Sequence, residues 1–494
     1  MVTPERGVGG LHLHDDICDK AGSAVSAGKG EMSVALRLRH FVVLLALVSA
    51  ALVAAALVAA AGASAALPLP PAVALPALTI SEAAARAAHI APTCGPLACY
   101  YPSFLKEAYD FPAGKDAPTG AGQTIVVVTA YGSPTIADDL ARFNQENSLP
   151  AAPSFTVIQQ QAPAAGVPLP AAMFGWLLEA SLDVEYAHAM APGANIVLAV
   201  AATDDARDFA QVMREVLPSY PGSIVTQSFG TDESLVFADD PATAYALEQI
   251  YADHVSQDGT VLASAGDFGA GPSFPASSPL VVSVGGTQGG QYPGGLWKNG
   301  HYGSEEVWNE PFLPGATGGG PSAVFPAPPW QLGLTGTTMR ATPDVAYNSA
   351  VNGGVVVNFS LGGVPLHTLM GGTSAATPQW AAIVALANEL RGRQGRLPLG
   401  QATPQLYAIG HRNGDYQPDF HDITVGNNAL GGDLTQALGY SAGRGYDLAT
   451  GLGTPDVSKL LKDLAASDSG RVHSDDRVVS VGGTRKHVRL SPGG

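Results

Sequence analysis

The chain has 494 residues, 46% of them hydrophobic and only 14% charged, enough to bury one large core or two to three ordinary ones. Lys and Arg total 25 against 42 Asp and Glu, a formal net charge of -17, so the clustered cations that grip nucleic-acid phosphates are missing. The 59 Gly and 38 Pro argue for tight turns and long ordered loops and against a helical bundle.

Arg37, Arg39 and His40 precede an apolar run from Phe41 to Ala61 broken only by Ser49, and Ala63-Ser64-Ala65 follows as a small-residue cleavage pattern. This reads as an export signal, over 32–66, with Met32 the better start. Residues 1–31 are then expected to be a non-native or disordered extension. The run is also long enough to span a bilayer, so an uncleaved, outward-facing membrane anchor is the alternative to a secreted product. Residues 67–95 are Ala/Pro-rich with one short helical patch, Ser81 to Ala88, and read as linker. Cys94 and Cys99 bracket Gly-Pro-Leu-Ala, and a small disulfide loop is favoured over two free thiols.

From Gly122 the pattern changes. Ile125-Val126-Val127-Val128 is a β-branched run suited to a strand buried on both faces. Asn195–Val200, Ser223–Thr226, Thr260–Ala263 and Leu280–Val284 repeat it. Between them lie helical patterns at Ile136–Asn147, Gly175–Met190, Asp205–Val216 and Pro241–Gln257. This alternation predicts an α/β domain, a mostly parallel central sheet with helices on both faces and chemistry at the carboxyl ends of its strands.

Glu179 and Asp183, four apart in a helical pattern, share one helix face. Such a pair is either a solvated acidic face or two acids with a raised apparent pKa that serve as a base and its support. Glu185 points elsewhere and is expected at the surface. Asp267, between glycines just after a strand, is either a turn cap or a site-facing carboxyl that donates a hydrogen bond while protonated. Gly371-Gly372-Thr373-Ser374-Ala375-Ala376-Thr377-Pro378 is a small-residue turn running into the apolar stretch Gln379 to Leu390. It leaves the Ser374 hydroxyl at a helix N-terminus, where a nucleophile belongs, with Pro378 expected in the first turn.

Together these motifs resemble the sedolisin family of serine-carboxyl peptidases, with their subtilisin-like fold. Further matches are Gly122-Gln123-Thr124-Ile125, Phe274–Pro279, Val284–Thr287, Trp308-Asn309-Glu310, Phe325–Gln331 and Pro343-Asp344-Val345. The resemblance runs from about Tyr101 to about Leu461 and places a peptidase domain at 96–465, with a polar tail at 466–494. It implies Ser374 as nucleophile, Glu179 as general base and acid, Asp183 as its support and a protonated Asp267 as oxyanion donor. The reaction then needs acid, since an ionised Asp267 would repel the oxyanion. Ser228, Phe229 and Gly230 would offer backbone to an extended polypeptide substrate.

The resemblance also implies one structural calcium ion. Asp422 and Asp447 would supply carboxylates, and Ile423, Gly443 and Gly445 backbone carbonyls. Some relatives extend the relay with an acid and a Trp, where this chain has Thr129 and Phe229. The long prosegment usual in the family has no room in about 30 residues. In the tail, Val478–Thr484 repeats Val281–Thr287, for which we have no physical account. The expected product is a monomeric, secreted, acid-acting endopeptidase; the alternative is a catalytically weak or inactive binding protein on the same scaffold.

Overall fold

The computed structural model describes residues 72–74, 93–94, 97–160, 171–290, 295–310, 315–412, 416, 418–430 and 438–467. The expected extension (1–31), the signal (32–66), most of the linker and the repeat within the tail lie outside the described residues. The chain divides into a unit Met1–Val58, which also lies outside them, and a unit Ala59–Gly494, which holds everything below. Among the described residues no helix is long and apolar enough to cross a membrane.

The central sheet is built from β1 (Thr124–Ala130), β2 (Phe155–Gln159), β3 (Asn195–Ala201), β4 (Ile224–Gln227), β5 (Thr260–Ser264), β6 (Val282–Gly289), β7 (Glu305–Val307) and β8 (Val345–Asn348). Its order is β7-β6-β5-β4-β1-β3-β2, with β8 also paired to β6. Every pairing is parallel except β6 with β7. The β-branched runs make these strands because both faces are covered. Ile125 and Val127 join one apolar cluster and Val126 and Val128 the other, the period-two alternation of a strand between two layers.

Two further strands, β9 (Gly354–Leu361) and β10 (Val364–Met370), form a hairpin beside it. Part of the expected linker is strand: Ala72–Ala74 pairs with β10, and Thr93–Cys94 pairs with Leu97–Tyr100. The Cys94–Cys99 disulfide closes that small loop.

The helices that matter are α1 (Ile136–Glu146), α2 (Ala171–Met190), α3 (Ala206–Val216), α4 (Glu233–Asp239), α5 (Pro241–Val255), α6 (Thr373–Arg393) and α7 (Val457–Ala466). α7 ends one residue inside the expected tail. α2 and α6 pack on each other and on one face of the sheet, while α3 and α5 cover the other. From Trp176 to Met190 every residue of α2 is buried, so the helix has no solvent face.

This corrects the expectation for Glu185. It is fully buried, its Oε2 accepts the Asn358 N–H at 3.0 Å, and Arg142 and the acids Asp139 and Glu146 stand near it. Pro378 is likewise not in the first turn; α6 begins at Thr373, which makes it the sixth helical residue.

Asp344, from the Pro343-Asp344-Val345 motif, is structural. Arg340 binds both its oxygens, the Ser283 N–H donates to Oδ2 at 2.8 Å, and the Tyr407 hydroxyl donates to Oδ1 at 2.9 Å. Both charges are fully buried. Arg340→Leu, which strands the carboxylate, should cost about 3–5 kcal/mol of unfolding free energy, read from urea titration with Asp344→Asn alongside. A change below about 1 kcal/mol would mean that Asp344 is satisfied without its guanidinium.

Candidate active site

Four sequence-predicted side chains meet at the carboxyl edge of the sheet. Glu179 and Asp183 come from α2, Asp267 from the loop after β5, and Ser374 from the start of α6. The turn before Ser374 needs its glycines. Gly372 holds φ at +92°, and a Cβ on Gly371 would stand 2.6 Å from the Ser349 carbonyl oxygen. Close approach of that turn to the backbone after β8 seats Ser374, with the Gly372 N–H bonded to the Ser349 carbonyl at 2.7 Å.

Glu179 and Asp183 are fully buried. Burial raises the Glu179 carboxyl well above its ordinary range, and the charges of Asp183 and then Asp267 raise it further. The Ser374 and Ser228 hydroxyls pull it back, yet neither Glu179 oxygen has a partner at hydrogen-bond distance. The Glu179–Ser374 contact is thus looser than a closed hydrogen bond. Burial likewise raises Asp183, opposed by hydrogen bonding from Ser228 and Glu179.

Asp267 is held by a residue the sequence reading passed over. The Thr373 backbone N–H and its hydroxyl both donate to Asp267 Oδ1, each at 2.8 Å, while the Gly266 N–H donates to the same hydroxyl at 3.1 Å. Both bonds to Asp267 fall on one oxygen, which leaves Oδ2 to carry a proton. Burial pushes the carboxyl up to about 6 against those two donors. The signal available in advance was position alone, since Thr373 adjoins Ser374.

Ser228, Phe229 and Gly230 line one wall of a cleft of about 260 Å³ that also holds Asp267, Thr373 and Ser374. The Phe229 ring, however, turns into the core. It stacks on Phe209 at 3.9 Å between centroids and meets Trp176 edge-on at 6.5 Å. Thr129 is fully buried, with its hydroxyl unpartnered. The acids whose charges act on Glu179 are Asp183 and Asp267.

The two expected calcium carboxylates both accept N–H groups of the turn at residues 443–445. Asp422 accepts the Gly445 N–H on both oxygens at 3.1 Å, and Asp447 Oδ2 accepts the Gly443 N–H at 3.1 Å. Asp447 Oδ1 takes the Ala449 and Thr450 N–H groups at 2.9 Å. Among the described residues no three His, Cys, Asp or Glu side chains gather as a metal site. Two hard carboxylates closing on one glycine turn fit calcium, which takes its remaining ligands from backbone and water.

Carboxyls raised in the folded state favour the fold while they stay protonated. Their contribution is complete below their unfolded values near pH 4 and is lost as pH rises through the folded values, near 6 for Asp267. The melting temperature should therefore fall between about pH 4.5 and about pH 7.5, and Asp267→Asn should flatten part of that slope. Calorimetry showing a higher melting temperature at the neutral end would contradict the raised values.

No family model matches the chain. It is 34% identical over 412 residues to kumamolisin of Bacillus sp. (strain MN-32), covering 78% of this chain and 67% of that one. It is 33% identical over 328 residues to tripeptidyl-peptidase 1 of Mus musculus, of which it spans about half, 52%. Among solved structures it superposes on Pseudomonas sedolisin, a serine-carboxyl proteinase complexed with pseudo-iodotyrostatin. The TM-score is 0.60 at 27% identity, over 75% of this chain and 99% of that one. By sequence and by its subtilisin-like α/β fold, the chain belongs to the sedolisin family of serine-carboxyl peptidases.

Proposed function

We propose that the protein is a secreted, acid-acting serine-carboxyl endopeptidase that cleaves polypeptides through an acyl-enzyme. The observation that carries this reading is the convergence of three buried carboxyls on one serine at a helix N-terminus. A His-dependent relay has no support here, because His188 on α2 is buried against the Pro150 carbonyl, 2.9 Å from its Nε2.

In this reading Ser374 Oγ attacks the scissile carbonyl carbon as Glu179 takes its proton, and Asp183 supports the carboxyl that forms. Glu179 then returns the proton to the leaving amine, and a water repeats the sequence on the acyl-enzyme. Asp267, protonated on the oxygen that Thr373 leaves free, donates to the developing oxyanion. Ionising it replaces a donor with a repelling charge, so the rate falls as pH rises through about 6. Because Glu179, Asp183 and Asp267 act on one another, the limbs of the pH profile belong to the three-carboxyl set.

Secretion is supported by the apolar run 41–61 with its cleavage pattern and by the Cys94–Cys99 disulfide, a bond of oxidising compartments. We also propose one structural calcium ion held by Asp422 and Asp447 with the carbonyls of Ile423, Gly443 and Gly445. It would neutralise two partly buried carboxylates and lock the loop that carries them.

Denatured protein should be cut at about pH 4 and not at about pH 7.5, and Ser374→Ala should lower the rate at least about a thousandfold. Internal fragments in the mass spectrum mark endoproteolysis. Activity at pH 7.5 equal to that in acid would remove the oxyanion role of Asp267, and no Ser374-dependent activity at either pH would leave a binding protein on this scaffold. For the ion, a calcium chelator should lower the melting temperature, and calcium but not magnesium should restore it, with Asp447→Asn indifferent to both. An unchanged melting temperature would refute the site.

A further inference from the structure

Ser228 follows β4, where the sequence assigns it only a backbone role toward substrate. Its side chain is turned inward and is 4% exposed. The hydroxyl donates to Asp183 Oδ1 at 2.6 Å and stands 3.4 Å from the carbonyl oxygen of Ser374. That carbonyl lacks its usual helical partner, because residue 378, four positions on, is a proline with no N–H. Its neighbours in the first turn are served by side chains, the Thr373 carbonyl by the Thr377 hydroxyl and the Ala375 carbonyl by the Gln379 amide, each at 2.8 Å.

We propose that Ser228 is a positioning residue of the relay, its hydroxyl tying Asp183 of α2 to the backbone of the nucleophile turn on α6. The inference rests on the proposed roles of Ser374, Glu179 and Asp183. The hydroxyl carries one proton, and the short contact to Asp183 claims it. A carboxylate is a stronger acceptor than a carboxylic acid, so this bond favours the ionised pair. When Asp183 takes up a proton, the hydroxyl can turn to the Ser374 carbonyl, and the bond to the ion is lost.

The pair has little else to stabilise its charge. Asp183 Oδ2 and both Glu179 oxygens close no full hydrogen bond; what remains is the looser contact of Ser374 with Glu179 and of Glu179 with Asp183. The titratable groups facing the pair are its own two members and Asp267 from the loop after β5, with the Ser374 hydroxyl from α6. Among the described residues, the leading influences on the two acids are burial, the other carboxyls and the Ser374 and Ser228 hydroxyls. Arg142, Asp139 and Glu146 of α1 act on Glu185 instead.

The test is the pH dependence of kcat/KM for the secreted protein and its Ser228→Ala, Ser228→Thr and Ser228→Cys variants, from about pH 3 to about pH 7.5, on a quenched peptide. Ser228→Ala should move the acid limb up by about one pH unit, roughly a tenfold loss at its foot, and leave the alkaline limb in place. Ser228→Thr, which keeps the hydroxyl, should restore the wild-type limb. Ser228→Cys, a weaker donor of similar size, should shift it partway and serves where Ser228→Ala does not fold. A uniform loss at every pH with both limbs unmoved would overturn the inference and leave Ser228 a packing residue. A wild-type protein that is inactive, or no more active than Ser374→Ala, would instead remove the peptidase reading and this inference with it.

Discussion

Carrying three neighbouring carboxyl groups out of water is the constraint around which this structure is arranged. For Glu179, Asp183 and Asp267 alike, burial is the leading reason that the proton is held more tightly than in water. A charge on any one of them discourages a charge on the next. The set therefore carries few charges at once, and protons stay inside the protein at pH values where exposed acids would have lost them. In the proposed reaction, that retained proton is what would let Asp267 donate to an oxyanion.

The scaffold meets this constraint by rigidity. α2 is buried from Trp176 to Met190, so Glu179 and Asp183 cannot swing out to water. α6 packs against it, and the hydroxyls of Thr373 and Ser228 hold Asp267 and Asp183, each at a single oxygen. Glu305 shows what a purely structural buried acid looks like in the same fold. Thr287 and Tyr109 donate to its Oε1 at 2.6 Å and Thr454 to its Oε2 at 2.5 Å. A shell of hydroxyls satisfies it. Glu179 has no such closed shell, which agrees with the proposed role of a group kept ready for a substrate.

Rigid supports reach the site from far along the chain. The loop ahead of β1 is clasped by Glu389 near the end of α6, whose Oε2 accepts the N–H groups of Thr119, Gly120 and Ala121 at 2.7, 2.7 and 3.0 Å. Asp344 and Arg340 pin the strand beside β6 through buried bonds. Where related chains are expected to extend the relay, this one packs Phe229 against Phe209 and Trp176. Apolar packing there leaves Ser228 as the hydroxyl bonded to Asp183.

Strands and helices were legible in sequence because their signal is local: β-branched runs for strands buried on both faces, and helical periods between them. The turn before Ser374 was legible because glycine alone has no Cβ to meet a backbone oxygen at 2.6 Å and readily holds a φ of +92°. The i,i+4 spacing placed Glu179 and Asp183 on one face, but the same chemistry at Glu185 suggested solvent. A residue's charge says nothing of whether its helix is wrapped on every side.

Pro378 looked like a helix opener, since the true start depends on how Gly372 is held by Ser349. The sequence determined which residue types could act and which short segments carried them. Tertiary structure alone decided that acids from one helix and one distant loop face one hydroxyl, that Thr373 loads a single oxygen of Asp267, and that Ser228 points inward. Hydrogen bonds and desolvation depend on atoms brought together from distant parts of the chain, and no local pattern encodes that distance.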